Sequence, residues 1–164
     1  MMPGSSFPPF SMLLLLSAGC AQPSPEMSAR HAAAIRDSVT ATLDAFRRYS
    51  TARQWDSLTA IYDTEPGFRW LENGEVRYRS GAEIRQALGG VPATTQIVTS
   101  YQDTEILAVA PGIASVNTRF QTQFLDSTTA SFSFGGAITM TLVHRSDGWR
   151  IIAGHTSAPV PRRQ

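Results

Sequence analysis

The C-terminal half of the chain alternates apolar and polar residues with a period of two, in four long stretches separated by turn signals. The clearest stretch covers residues 114–124, and the others cover residues 96–110, 132–142 and 149–157. A strand with this alternation buries one face and exposes the other. Four such strands joined by short turns predict an antiparallel sheet with one buried face.

Two of these stretches carry signals for curvature. The stretch 96–110 is longer than an ordinary strand, and we expect a β-bulge near Asp103. The stretch 132–142 contains Gly135 and Gly136, a pair that permits a sharp bend of the strand. The sheet is therefore predicted to be strongly curved.

The last strand ends in a titratable side chain. Under strict alternation Trp149, Ile151, Ala153 and His155 share one face, and residues 150, 152 and 154 share the other. Because an imidazole titrates near neutral pH, His155 is a candidate general acid or base. The alternative is a structural histidine that is hydrogen-bonded to a backbone carbonyl.

The N-terminal half is predicted to be helical. Residues 28–53 form the first helix, whose apolar residues recur at spacings of three or four. The stripe consists of Ile35, Val39, Leu43 and Phe46. A second, short helix is predicted over residues 55–62, and the sequence leaves open whether residues 50–54 continue the first helix or bend.

A hairpin and a third helix follow. Asn73–Gly74 lies between two strand-like runs, residues 68–72 and 75–79, and Asn-Gly is a strong hairpin signal because both residues tolerate positive φ. The sequence from Ser80 to Glu83 has the form of a capping box and predicts a helix start. Gly89–Gly90 ends that helix.

The N-terminus has the pattern of an export signal. Residues 12–17 are a short apolar run, too short to span a bilayer, and small residues with Cys20 follow. This pattern resembles the lipobox of bacterial lipoproteins, in which the cysteine becomes the lipidated first residue of the mature chain. We expect a signal peptide over residues 1–20, lipidation at Cys20, and a lipid-anchored protein of the cell envelope. The alternatives are cleavage after Ala21, which releases a soluble periplasmic or secreted protein, and a chain that is not exported.

Composition excludes several functional classes. The net charge is +1, with 14 basic and 13 acidic residues, so no basic surface for nucleic acid is expected. All basic residues are arginine, and the absence of lysine excludes Schiff-base chemistry on a lysine. A single cysteine excludes an internal disulfide framework and a cysteine-based zinc cluster. We expect neither a cofactor nor a metal.

The order of these elements resembles the NTF2-like superfamily, and within it the SnoaL-like branch. The resemblance rests on five features besides the long first helix: Gln54-Trp55-Asp56, Phe68-Arg69-Trp70 with Asn73-Gly74, the Ser80 cap, Gly148-Trp149-Arg150-Ile151, and His155-Thr156-Ser157. It implies an α+β fold, the NTF2-like cone, in which N-terminal helices pack on a strongly curved antiparallel sheet. This domain would cover residues 28–158, after a tether over residues 21–27 and before a flexible tail over residues 159–164. Relatives often pair through the sheet, which implies a possible homodimer.

The resemblance does not fix a function. The superfamily includes steroid isomerases, polyketide cyclases, dehydratases, epoxide hydrolases and members that only bind or dimerise, and a shared fold is not a shared function. The first hypothesis is an envelope domain that binds a small apolar ligand or a partner in its cone. The second is an acid–base enzyme of the isomerase, cyclase or hydrolase type. The third is a dimerisation module with a filled cone.

Acid–base chemistry in an apolar cone requires a carboxylate and hydrogen-bond donors. Glu72 and Tyr78 lie on opposite strands of the Asn-Gly hairpin, and Tyr62 ends the second helix, so these three side chains can converge. Together with His155, Glu72 and Tyr78 are the catalytic candidates. The simpler alternative is a solvent-facing glutamate beside half-buried tyrosines.

Large aromatic residues are the candidates for ligand contact. We expect Tyr62, Trp70, Trp149 and His155 to line the cone, although large aromatics in a small domain are more often core residues. Four phenylalanines, at positions 120, 124, 132 and 134, either fill the same space or form a face for dimerisation. No three ligands converge by their spacing, so a metal site is not predicted.

Overall fold

The computed structural model describes residues 27–127 and 131–159, which form three helices and one six-stranded sheet. The helices are α1 (Ala29–Thr51), α2 (Trp55–Thr59) and α3 (Gly81–Gly89). The strands are β1 (Arg69–Glu72), β2 (Glu75–Tyr78), β3 (Thr95–Ala110), β4 (Ile113–Asp126), β5 (Phe132–Arg145) and β6 (Gly148–Ser157). The helices cover one face of the curved sheet, and the predicted α+β cone is confirmed.

The long helix α1 begins and ends at residues with a clear physical role. The side chain of Ser28 accepts a hydrogen bond from the backbone N–H of His31 and caps the first turn. The helix ends near Arg53, whose φ of 56° leaves the helical region. The guanidinium of Arg53 donates three hydrogen bonds to the carbonyls of Val91, Pro92 and Thr95. The open question about residues 50–54 is therefore answered by a bend.

The second helix is shorter than predicted. Helix α2 ends at Thr59, and Tyr62 forms an isolated parallel bridge with Ile151 of β6. The backbone N–H of Asp63 donates a hydrogen bond to the carbonyl of Ile151, and the backbone N–H of Ile151 donates one to the carbonyl of Ile61. Because of these hydrogen bonds residues 61–63 pair with β6 and do not continue the helix.

The predicted hairpin and the third helix are confirmed. Asn73 and Gly74 have φ values of 50° and 91°, as a two-residue turn between β1 and β2 requires. The hydroxyl of Ser80 accepts a hydrogen bond from the N–H of Glu83, and the Glu83 carboxylate accepts one from the N–H of Arg79. Both backbone donors at the start of α3 are thereby satisfied.

The strand order is β2-β1-β6-β5-β4-β3, and it corrects one feature of the predicted sheet. Strands β3 to β6 are antiparallel neighbours, but β1 pairs with β6 in parallel. The hairpin β1–β2 joins the free edge of β6 through long-range packing of Phe68 and Trp70 in the core. Local sequence carries no signal for that choice of edge.

Curvature has visible causes in two strands. In β3 the pairing with β4 shifts register between Gln102 and Glu105, and Asp103 has a φ of 51°, which confirms the predicted bulge. A further bulge, which lies in β6, was not predicted. Thr141 pairs with Ala153 and the next residue, Leu142, pairs with Ile151, so Ile152 is the extra residue.

The bulge at Ile152 reverses the faces of the end of β6. Gly154 is buried beside Met140, and Thr156 pairs with Ile138, which is buried too. His155 instead pairs with the exposed Thr139 and is itself exposed. The prediction that His155 shares a face with Trp149 is wrong, because strict alternation does not continue through a bulge.

One continuous core joins the helices to the sheet. Ile35, Val39 and Leu43 of α1 are buried against it, as the helical stripe predicts. Met27, predicted to be the last residue of the tether, also packs against this core. Within residues 27–127 and 131–159, no helix is long and apolar enough to cross a membrane.

Several predictions fall outside the described residues. These are the signal peptide, the lipidated Cys20 and the tether up to residue 26, together with the tail beyond residue 159. They remain predictions.

Candidate ligand-binding site

The three helices and the sheet line a cavity of about 210 Å³ in the cone, which is open to solvent on one side. Helix α1 contributes Phe46 and Ser50, and α2 contributes Leu58. The aliphatic part of the lining consists of Leu58, Ile84, Leu88, Ile97, Ile138, Met140 and Ile151. The third hypothesis requires a cone that is filled by its own side chains, and this cone is not filled.

Tyr62 and Trp70 form the central aromatic wall of the cavity. Their ring centroids are 5.9 Å apart at an interplanar angle of 85°, an edge-to-face contact. Phe46 and Phe68 contact the ring of Tyr62 in the same manner, at 6.1 Å and 5.6 Å. Tyr62 is 5% exposed, and its backbone is fixed to β6. Its ring is held on several sides and does not need a ligand to be ordered.

Two buried tyrosine hydroxyls remain protonated at any physiological pH. Burial, with smaller contributions from the charges of Tyr101, Tyr78 and Glu72, raises the pKa of Tyr62 far above its ordinary value. Burial also raises the pKa of Tyr101, and the nearby Arg47 opposes that shift only in part. Both residues line the cavity, and both side chains are neutral.

Glu72 and Tyr78 lie where the cavity reaches solvent. Both line the cavity and both are partly exposed, the Glu72 side chain by 41%. Nε of Arg77 lies 3.6 Å from Oε2 of Glu72, and the Arg77 guanidinium lies 5.5 Å from the centroid of the Tyr78 ring. An ion pair this long and exposed contributes little to stability.

The phenylalanines of β4 and β5 divide between the cavity and the surface. Phe120, Phe124 and Phe134 line the cavity. Phe132 stacks on Phe124 with centroids 4.6 Å apart, yet it is 59% exposed. Filling of the cone was one predicted role for these residues, and three of them fulfil it in part as cavity wall.

Two threonine hydroxyls in the cavity satisfy each other. Oγ1 of Thr99 and Oγ1 of Thr122 are 3.0 Å apart, and both residues line the cavity. A hydroxyl that is already bonded in this way offers less to a ligand than a free one. The polar groups left for a ligand are mainly the tyrosine hydroxyls and the Glu72 carboxylate.

The structure brings together four of the predicted site residues. Tyr62, Trp70, Glu72 and Tyr78 all line the same cavity. The convergence of the second helix with the Asn-Gly hairpin follows from the bridge between Tyr62 and Ile151 and the pairing of β1 with β6.

Two predicted ligand-contact residues lie elsewhere. His155 is exposed on the outer face of β6, opposite Leu71 and Thr139, because of the bulge at Ile152. It is therefore no candidate for catalysis in the cone. Trp149 is buried under α1, where its Nε1 donates a hydrogen bond to Oγ of Ser38 at 2.9 Å, and it is not among the cavity-lining residues.

Sequence reasoning missed Tyr101 as a site residue. Ile97, Thr99 and Tyr101 share one parity in β3, and all three line the cavity. That shared parity, with Ile97 as the apolar marker of the buried face, is the signal that identifies Tyr101.

The lining of the cavity is apolar with a few polar groups. Within the described part of the chain, no group of three His, Cys, Asp or Glu side chains is placed to hold a metal ion. A preformed apolar cavity with a few polar groups is the usual form of a small-molecule site. A carboxylate beside protonated tyrosines is also a set that supports proton transfer.

Residues 39–161 match the family described as the SnoaL-like domain. An NTF2-like superfamily protein from Salmonella enterica serovar Typhimurium is 12% identical with a TM-score of 0.67, over 80% of this chain and 95% of that one. An NTF2-like protein of unknown function from Shewanella oneidensis is 16% identical with a TM-score of 0.61, over 75% of this chain and 98% of that one. A protein with a cystatin-like fold from Caulobacter vibrioides is 19% identical with a TM-score of 0.59, over 77% and 90%. No curated protein matches the chain significantly.

Proposed function

The chain belongs to the family of SnoaL-like domains, and from that premise we propose that its cone binds a small molecule with an apolar body of about one ring. The cavity of about 210 Å³, with aromatic walls, carries this proposal. It is smaller than the pockets of roughly 300–1,000 Å³ that take drug-sized ligands. It is larger than an apolar cavity of about 150 Å³ that takes benzene. One ring with a small substituent is the matching size.

Ligand-observed NMR with a set of single-ring compounds tests this proposal. Saturation transfer is expected with the full chain and lost in Thr122→Phe, which fills the cavity. The matched control is Gln123→Phe, the next residue of β4, which is exposed and outside the lining. If both variants retain the signal, the ligands bind elsewhere and the proposal fails.

A second candidate function is acid–base catalysis. It is favoured by the presence of Glu72 and three tyrosines in one cavity. The 41% exposure of Glu72 and its contact with Arg77 favour binding over the role of general base, which works best in a dry site. A direct test is deuterium incorporation next to the carbonyl of cyclic ketones. Exchange that exceeds the buffer rate and disappears in Glu72→Gln would support catalysis. Exchange at the buffer rate would leave binding without catalysis as the proposed function.

We further propose that the chain is exported and lipidated at Cys20. The proposal rests on the apolar run of residues 12–17 and the small residues before the only cysteine. Mass spectrometry of the membrane fraction is expected to find a mature chain that begins at a diacylated Cys20. A soluble chain with an unmodified Cys20 would refute lipidation and leave ordinary cleavage after Ala21.

A further inference from the structure

We propose that the ligand of the cone is an organic cation, an amine or quaternary ammonium group carried on a single ring or an apolar body of that size. This inference rests on the proposed binding function and names the chemical class of the ligand. Three observations support it: the sign of the charge in the cavity, the aromatic faces around that charge, and the position of Arg77.

The first observation is the sign of the charge. Among the described residues that line the cavity, Glu72 is the acidic one, and none is an arginine or a histidine. An anionic ligand would therefore meet the Glu72 carboxylate, which disfavours it. The nearest cations are Arg77 beside Glu72 and Arg47 beside Tyr101; both lie outside the lining and are paired with the carboxylates of Glu72 and Asp44. A cationic ligand meets the complementary charge, at a carboxylate that is 41% exposed and therefore partly screened by solvent.

The second observation is the set of aromatic rings around that carboxylate. Trp70 lies two residues before Glu72 on the same face of β1, and Tyr78 pairs with Trp70 across the hairpin. Tyr62 contacts the Trp70 ring at 5.9 Å. The faces of Trp and Tyr rings are electron-rich and attract a cation within about 6 Å of the ring centroid. Three rings and one carboxylate thus border one part of the cavity.

The charge of Glu72 reaches into this part of the cavity. Burial is the main cause of the raised pKa of Tyr62, followed by Tyr101 and Tyr78, and the negative charge of Glu72 makes the smallest contribution. The carboxylate therefore acts on the hydroxyl of Tyr62 as well as on solvent. A positive group between these two residues would be stabilised by both the charge and the rings.

The third observation is that the chain already places a cation beside this group. The guanidinium of Arg77 lies over the ring of Tyr78 at 5.5 Å and 3.6 Å from the Glu72 carboxylate, on the solvent side. Its side chain is 61% exposed and does not line the cavity. Because such a pair is weak, a ligand cation can compete with Arg77 for Glu72 from the inner side.

A neutral carbonyl compound is the competing occupant. It would accept hydrogen bonds from the O–H groups of Tyr62 and Tyr101. That occupant makes no electrostatic interaction with the charge of Glu72, whereas a cation interacts with both the carboxylate and the ring faces. The two occupants differ in one measurable property, which is the dependence of affinity on the positive charge of the ligand.

The test compares phenyltrimethylammonium with its neutral isostere tert-butylbenzene, by NMR titration of the full chain. The two ligands have the same shape, so a difference in affinity reports the charge. We expect the cation to bind about ten-fold or more tightly, since one cation–π contact alone changes affinity by about two-fold to thirty-fold. Glu72→Gln is expected to remove most of this preference, and Arg77→Gln to tighten binding of the cation without a change for the isostere.

Glu75→Gln is the matched control. Glu75 pairs directly with Glu72 across the hairpin and carries the same charge, but it is exposed and outside the cavity lining. It is expected to keep the preference for the cation. If Glu72→Gln does not fold, as judged by circular dichroism, the inference is still tested by the affinities of the two ligands for the wild-type chain and for Arg77→Gln.

Two results overturn the inference while the proposed binding function stands. One is an isostere that binds as tightly as the cation to the wild-type chain. The other is a loss of preference in Glu75→Gln that equals the loss in Glu72→Gln, because the preference would then come from overall charge. If neither compound binds, and no single-ring compound gives saturation transfer, the inference and the proposed function both fail.

Discussion

The indole ring of Trp70 lies against the backbone of Gly154, in the space that a side chain at position 154 would occupy. The two residues pair across the parallel strands β1 and β6, and a Cβ added to Gly154 would overlap Cζ3 and Cε3 of the indole. The wall of the cavity therefore depends on a residue without a side chain. Because Trp70 also contacts Tyr62, a shift of the indole would move the aromatic wall as a whole.

Gly154→Ala is expected to destabilise the fold by about 1–3 kcal/mol, the usual cost of an overpacked core. The added methyl group forces Trp70 away from β6 and into the cavity. Urea unfolding followed by tryptophan fluorescence measures the change. Gly67→Ala is the control, because a Cβ at Gly67 has nothing within 4 Å. Equal unfolding midpoints for the Gly154→Ala variant and the wild type would contradict this account of the wall.

The two cavity tyrosines with raised pKa values predict a loss of stability in alkaline solution. The pKa values of Tyr62 and Tyr101 are raised in the folded state, chiefly by burial, while an unfolded chain ionises its tyrosines near pH 10. The unfolded state therefore binds fewer protons above about pH 10, and the free energy of unfolding falls as the pH rises. The double variant Tyr62→Phe/Tyr101→Phe should show a shallower decline in unfolding experiments across this range. An identical slope would show that these hydroxyls do not titrate differently in the two states.

The ion pair of Asp63 with Arg145 predicts a loss of stability in acid. Burial raises the pKa of the Asp63 carboxyl, but hydrogen bonds from Arg145 and the backbone N–H groups of Glu65 and Thr64, with the charge of Arg145, outweigh burial and lower it. The contribution is present above about pH 4 and lost as the pH falls through the lowered value.

Asp63→Asn is expected to cost about 1–2 kcal/mol at neutral pH, since the carboxylate is 7% exposed but its partner Arg145 is 46% exposed. Asp147→Asn, which removes an aspartate that is 67% exposed from the pair with Arg150, should cost less than about 0.5 kcal/mol. Chemical unfolding at neutral and acidic pH measures both. Equal costs for the two variants would contradict the role given to burial.

Sequence patterns predicted the elements well and the faces of the last strand poorly. The first helix, the Asn-Gly hairpin, the Ser80 cap and the bulge at Asp103 all follow from local chemistry. The bulge at Ile152 has no local signal, because the two residues on either side of it are apolar or small. Gly154 has no side chain that would mark the buried face.

The candidate site was predictable where it depends on neighbouring elements. Tyr62, Trp70, Glu72 and Tyr78 lie within one stretch of the sequence, and the Asn-Gly turn alone brings the last three together. Tyr62 joins them because residues 61–63 and β1 both bind β6. Tyr101 comes from a distant strand, whose position over the cavity depends on the order of the whole sheet. Such long-range placement is not encoded in any single window.

A homodimer through the outer face of the sheet remains a prediction. Leu107 and Val109 are 64% and 55% exposed on β3, beyond the bulge at Asp103. Light scattering of the purified chain should give twice the monomer mass, and Val109→Glu should reduce it to the monomer mass. Ala34→Glu, on the exposed side of α1, is the control and should leave the dimer intact. A wild-type chain that is monomeric would contradict the prediction.

The cone as a binding site is tested most directly by a crystal structure of the full chain grown with a saturating single-ring ammonium compound. Density for one ring is expected inside the cavity, in contact with Tyr62 and Trp70, with the ammonium group directed to Glu72. A cavity without ligand density, or a ligand bound only on the outer face of the sheet near His155, would contradict it.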